Sequence, residues 1–259
     1  MKLENLLEEE YKNVHADTLT TAKNRKVNTT FQELFAEWYE HFVEDYTDDI
    51  DEYHVGYYKI SRDAYTLAEY YIEEETFTPE DITDLCSIFN TVHKHTEDAT
   101  KRSFPYIGCF LSACINTHFE EHFYTKKYVL ITEELVVPLI NIGMYNKAEI
   151  TIVGSCNDLI GYKMKKGIIT VLGNVKNFLG SRMKGGTIHI SGNASQRTGY
   201  HMDGGEIKID GNCGKRIGFE MNAKTFPILI QLTKEYPHDI THLRGHGKII
   251  ANEKKIYER

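Results

Sequence analysis

The fold class predicted by this sequence is α+β in two domains, an α-helical N-terminal domain followed by a right-handed parallel β-helix built from 19-residue repeats. The first observation behind it is a periodicity between Ala148 and Ala223. Gly154, Gly173, Gly192 and Gly211 stand 19 residues apart, and so do Gly161, Gly180, Gly199 and Gly218. Met164, Met183, Met202 and Met221 form a third column. A period near twenty residues marks a solenoid, whose coils bury their apolar faces only against one another. The second observation is charge. Up to Thr125 the chain has 26 acidic and 10 basic residues, and from Lys126 onward 12 and 20, so the formal charge of -8 conceals two halves of opposite sign. The third is a change in apolar spacing from helical to alternating at the same boundary.

The 259 residues, 41% of them hydrophobic, suffice for real cores. No run of eighteen apolar residues suggests a membrane span, and the charged start MKLENLLEEEYKN does not read as a signal peptide. Residues 1–28 are polar, with one short helical stretch at Leu3–Tyr11. Residues 29–125 form the acidic helical domain. Thr30 and Glu33 have capping-box spacing, and Phe31, Leu34, Phe35, Trp38 and Phe42 follow at helical intervals, which predicts a helix to about Tyr46. A second helix is expected over Ser61–Glu75. Thr78-Pro79-Glu80-Asp81 starts a third, with proline at its first position and carboxylates at its positive end; Ile82, Leu85, Ile88, Phe89 and Val92 would face inward. An apolar helix from about Tyr106 to Phe123 would centre the bundle. Residues 126–259 form the β-helix. Tyr128–Thr132 and Leu135–Val137 are expected as strands capping its open end, because an uncovered edge recruits other strands.

One repeat reads GGTIHISGNASQRTGYHMD, Gly185–Asp203. Thr187-Ile188-His189-Ile190 alternates as a half-buried strand does, and β-branched residues recur at Ile150/Ile152, Ile169/Val171 and Ile207/Ile209. Each strand ends on Gly-Asn (Gly-Ser in the first copy), two residue types that tolerate positive φ, so a corner is expected there. The next residue, Cys156, Val175, Ala194 or Cys213, is small and should pack inward. Two further short strands would complete each coil. Phe226–Tyr236 interrupts the repeat, and Gly247–Asn252 reads as one last degenerate strand.

The pattern GGxIxIxGNxxxxxGxxMxGGxIxI resembles the GXGXG β-helix over about residues 140–250. That domain closes the large subunit of glutamate synthase and makes up a non-catalytic subunit of formylmethanofuran dehydrogenase. A second glycine that the family often carries after the corner is present here only as Gly214, with Asn157, Lys176 and Ser195 elsewhere. The resemblance implies a structural support without catalytic residues of its own.

Few residues are arranged for chemistry. His118, Glu121 and His122 spell H-x-x-E-H, in which two histidines one turn apart can bind zinc beside a glutamate that activates water, but a third ligand is missing. His238, His242 and His246 are four apart, yet Gly245 and Gly247 oppose one continuous helix. Five cysteines without CxxC spacing suit a reduced, cytoplasmic protein. No nucleotide-binding glycine loop or nucleophile elbow occurs, and no cofactor is expected.

The solenoid offers a basic surface instead: Lys163 and Arg182 in one column, with Lys165, Lys166, Lys184, Arg197, Lys215 and Arg216 around them. Cations stacked about 4.8 Å apart repel unless an anion sits on them. An acidic protein surface or larger complex is preferred as partner over nucleic acid, because few aromatics interleave with the charges, Tyr162 and Tyr200 being the best, and the overall charge is negative. A homo-oligomer is compatible with the sequence. The function expected is a non-catalytic scaffold or interaction protein docking on a larger assembly. An accessory subunit of a glutamate-synthase-like or formylmethanofuran-dehydrogenase-like complex is the first alternative, and a small zinc hydrolase at His118, Glu121 and His122 the second.

Overall fold

Strands follow one another across a single sheet in chain order, β1 to β8, in the computed structural model of the chain. The residues it describes are 29–46, 56–73, 77–85, 106–122, 127–133, 135, 139–223, 227–234, 247–251 and 254–258. The strands are β1 (Lys127–Ile131), β2 (Glu149–Val153), β3 (Ile168–Leu172), β4 (Thr187–Ile190), β5 (Gly205–Ile209), β6 (Ile228–Leu232), β7 (Lys248–Ala251) and β8 (Lys254–Glu258). The first seven pair in parallel, each with the next, and β8 turns back antiparallel on β7. This is a parallel β-solenoid.

Its register explains the repeat. Ile150, Ile169, Ile188, Ile207, Ile230 and Ile249 lie opposite one another along the ladder, all fully buried. The Met column, Met164, Met183, Met202 and Met221, is buried on the same coils, where a flexible thioether fills space between rungs. Two expectations about strands change here. β1 is the first rung, not a cap, and the stretch expected to interrupt the repeat contains β6, which continues the ladder in register.

The Gly-Asn corner is also built differently from expectation. Gly173, Gly192 and Gly211 do not adopt positive φ. Glycine is required because the coils touch there: a Cβ on Gly192 would stand 2.5 Å from the Gly173 carbonyl oxygen. The asparagines form a ladder. The Oδ1 of Asn174 accepts the backbone N–H of Asn193 at 2.8 Å, and Asn193 does the same for Asn212 at 2.8 Å. Cys156, Val175, Ala194 and Cys213 pack inward behind the corner, as expected.

Beyond the corner the described coils have no further full strands. Single bridges join Val175, Ala194 and Cys213. A turn then alternates left-handed residues, as at Leu159 (φ 63), Gly161 (φ 69) and Lys163 (φ 54). Among the described residues ten that are not glycine have positive φ, nine of them bulky side chains in these turns and at Tyr145, where such a conformation costs energy. The turn repeats because each is bonded to the next coil: Leu159 N–H to Asn177 O at 3.0 Å, Phe178 to Gln196 at 2.9 Å and Arg197 to Lys215 at 2.9 Å. Asn141, Gly143 and Tyr145 add a fifth copy one residue short of the period, with positive φ at all three.

Among the described residues four helices accompany the solenoid: α1 (Thr29–Tyr46), α2 (Gly56–Ile72), α3 (residues 79–85) and α4 (Ile107–His122). The start of α3 is a capping box. The Thr78 backbone N–H donates to Asp81 Oδ2 at 2.7 Å, and the Asp81 N–H donates to Thr78 Oγ1 at 3.1 Å. Its Ile82 and Leu85 are buried; Ile88, Phe89 and Val92 lie outside the described residues. Trp38 of α1 stacks on Phe42 at 5.4 Å and donates through Nε1 to the Ala64 carbonyl of α2 at 3.2 Å.

The helices close the N-terminal end of the solenoid. Ser112 Oγ lies 2.6 Å from Gly108 O and 2.9 Å from Asn141 O, and it accepts the Gly143 N–H at 2.9 Å. Asn116 Nδ2 donates to the Met144 carbonyl at 2.9 Å, and Asn141 Nδ2 donates to Ser61 Oγ at 2.8 Å. Helices and solenoid consequently share one continuous hydrophobic cluster across the boundary expected at residue 125. No described helix is long and apolar enough to cross a membrane.

Candidate functional site

The left-handed turns stack three side-chain columns on one face of the solenoid. The first is Leu159, Phe178, Arg197 and Arg216; the second is Tyr162, Ser181, Tyr200 and Phe219; the third is Tyr145, Lys163, Arg182, His201 and Glu220. The second column is aromatic except at Ser181. Into the notch left by that small residue comes Tyr58 of α2. Its ring lies 5.3 Å from that of Tyr162 and 6.3 Å from that of Phe178.

The result is a cleft of about 550 Å³ lined by Tyr58, Phe178, Arg182, Arg197, Tyr200, Arg216 and Phe219. Arg182 lies over the Tyr58 ring at 5.2 Å and Arg197 over Phe178 at 4.8 Å. Phe178 meets Tyr200 edge-on at 5.7 Å, and Tyr200 stacks nearly parallel on Phe219 at 5.7 Å. Two of the cations expected from sequence, Lys163 and Arg182, do stack, and burial followed by the nearby charges of Arg182, Lys184 and Arg62 pushes the Lys163 ammonium below its ordinary pKa. Burial raises the Tyr162 phenol to about 12 against the opposing pull of Arg182.

The eight expected cationic residues fall into groups. Lys165 lies over Tyr145, and Lys166 over Phe119 of α4. This end of the basic surface faces the chain's own acidic helices: Lys147 pairs with Glu120, and Lys165 and Lys147 both act on Glu69 of α2. Lys184 and Lys215 are exposed. Arg182, Arg197 and Arg216 are gathered in the cleft, and among the described residues no carboxylate comes within ion-pair distance of any of them. Farther along the third column His201 Nε2 lies 3.1 Å from Glu220.

The expectation that few rings interleave with the charges is therefore wrong. Phe178 and Phe219 belong to the repeat itself, and Tyr58 arrives from another element. The signal in the sequence is the break at Ser181 in an otherwise aromatic column.

Tyr58 also yields a prediction. Its hydroxyl and Ser181 Oγ are both buried and neighbour one another in poor hydrogen-bonding geometry, and burial raises the phenol above its ordinary pKa against the weak bond that Ser181 offers. Tyr58→Phe keeps the ring and removes an unsatisfied oxygen, so unfolding free energy measured in urea should stay level or rise by about 1 kcal/mol. Tyr58→Ala should lose about 3 kcal/mol. A loss above about 1 kcal/mol in Tyr58→Phe would show that the hydroxyl is bonded after all.

Of the other candidate residues the structure describes only His118 and Glu121 with their side chains. His118 is buried on α4, its Nδ1 2.8 Å from the Tyr128 hydroxyl and its ring 6.0 Å from Phe77, while Glu121 is exposed. The His122 side chain and the trio His238, His242 and His246 lie outside the described residues. Among the described residues no group of three His, Cys, Asp or Glu is placed to hold a metal ion. Cys109, Cys114, Cys156 and Cys213 are buried, which pushes their thiols up, to about 12 at Cys156 and about 11 at Cys213. No family model, curated protein or solved structure matches the chain.

Proposed function

We propose that this chain is a non-catalytic scaffold that docks on a larger assembly and receives an anionic element of it in the arginine and aromatic cleft. The observation that carries this reading is the trio Arg182, Arg197 and Arg216, held together on a repeated turn without a carboxylate partner among the described residues. Converging like charges are unfavourable in a free protein and become favourable when an anion occupies the space between them. Guanidinium groups laid over rings keep their N–H edges free for such an anion. A cytoplasmic setting belongs to the same proposal and is supported by the four buried free cysteines.

The test is capture of the endogenous full chain under gentle conditions, with the mass of the intact complex recorded at low and moderate salt. The wild-type chain should come out in a defined assembly that Arg182→Glu/Arg197→Glu/Arg216→Glu loses. A bare wild-type monomer, or the same assembly around the triple variant, would overturn the reading.

A second reading, an accessory subunit of a glutamate-synthase-like or formylmethanofuran-dehydrogenase-like complex, draws support from the repeat. Its glycine column extends beyond the four copies to Gly143, and the GXGXG resemblance rests on such columns. Co-purification with an amidotransferase or a molybdenum or tungsten subunit would favour it, and its absence from such a complex in a native preparation would end it.

A further inference from the structure

Resting on that docking reading, we propose that the anionic element in the cleft is a single-stranded nucleic acid. An acidic protein segment needs cations and little else. This face supplies rings as well as cations, alternating along the solenoid axis. Tyr145 and Tyr162 flank Lys163, whose Nζ lies 5.5 Å and 5.1 Å from their centroids. Tyr58 and Phe178 then carry Arg182 and Arg197, and Tyr200 and Phe219 follow beside Arg216.

The alternation is set by the fold. Each rung presents one turn, and rungs advance by about 4.8 Å, so the five turns from Tyr145 to Phe219 span about 19 Å. A chain whose own repeat pairs one charge with one planar group fits such a track. Single-stranded nucleic acid binds in this way, with its backbone along a basic groove and its bases on aromatic rings. Phe178, Tyr200, Phe219 and Tyr58 are partly exposed, while Tyr162 is buried and only backs Lys163. Arginine suits the phosphates because its planar fork can bond two oxygens at once. A duplex would hide the base faces that the rings need. The acidic residues that make the whole chain -8 are concentrated before Thr125, and the solenoid half is basic.

The experiment is fluorescence anisotropy of the full chain with labelled ten-nucleotide oligo(U) and oligo(A) single strands, a labelled GC-rich hairpin with a stem of about ten base pairs as duplex, and a labelled poly-glutamate peptide, at about 0.05–0.2 M salt. The single strands should bind at least about tenfold more tightly than duplex or peptide. Arg197→Gln/Arg216→Gln should weaken them about tenfold and flatten the salt dependence. Tyr200→Leu and Phe219→Leu, with thermal unfolding checked to match wild type, should each weaken them between about fivefold and a hundredfold.

Equal or tighter binding of poly-glutamate, or ring variants without effect beside arginine variants that abolish binding, would overturn the nucleic-acid assignment and leave the docking reading standing. Binding of duplex as tightly as single strand would also overturn it. If no polyanion binds and the capture experiment still yields an assembly lost with the arginines, the nucleic-acid proposal alone has failed. If that assembly also survives their replacement, both have failed.

Discussion

Replacing Gly108 with alanine is expected to cost about 3–5 kcal/mol of stability, at the upper end of what single substitutions do. Gly108 sits in the first turn of α4, pressed against the solenoid. A Cβ there would lie 1.9 Å from the Ile140 carbonyl oxygen, 3.0 Å from its carbon and 3.2 Å from Ile142 Cγ1. Moving the helix away would relieve the overlap only by breaking the bonds of Ser112 to Asn141 and Gly143 and of Asn116 to Met144. Alanine's better helix propensity returns only about 1 kcal/mol. Urea unfolding followed by circular dichroism checks the outcome. A loss below about 1 kcal/mol would mean that α4 does not seat on the first coil as described.

The second large effect is expected at Gly192→Ala, about 3–4 kcal/mol. Here the neighbours are the Gly173 carbonyl oxygen at 2.5 Å, Asn174 Oδ1 at 2.6 Å and the Gly173 carbon at 2.7 Å. The coils cannot separate locally, since β3 and β4 are paired in register immediately before the corner and the asparagine ladder ties them at it. Lys176→Ala, an exposed change three residues beyond the corner glycine Gly173, should stay within about 0.5 kcal/mol in the same urea titration. Equal stability of both variants would contradict the close-contact account of the corner.

These two glycines show what is legible in sequence and what is not. Gly192 stands out because the solenoid repeats its environment, so chemistry that recurs in space recurs in the text. The reason that the Gly-Asn spelling suggests for it, positive φ, is nevertheless not the one that operates. Composition alone does not separate a glycine needed for positive φ from one needed for close approach, and Gly192 is of the second kind. Gly108 carries no periodic signal at all, because its partner, Ile140, belongs to another element.

The same division runs through the cleft. Arg182, Arg197 and Arg216 are readable as a basic surface from their columns. Phe178 and Phe219 are equally periodic but not readable as part of it, since a ring in a left-handed turn and a ring in a strand look alike in sequence. Tyr58 depends on a helix docking from outside the repeat, and nothing local to residue 58 announces that. The fifth turn is hidden because it is one residue short and has Asn146 where the others have methionine.

That the cleft is where a partner sits can be tested residue by residue with phenylglyoxal, which modifies accessible guanidinium groups, read by peptide mass spectrometry on the free chain and on the captured complex. Arg182, Arg197 and Arg216 should react in the free chain and fall about tenfold in reactivity in the complex. Three arginines as reactive in an intact complex as in the free chain would contradict the account, and would place the docking surface elsewhere on the molecule.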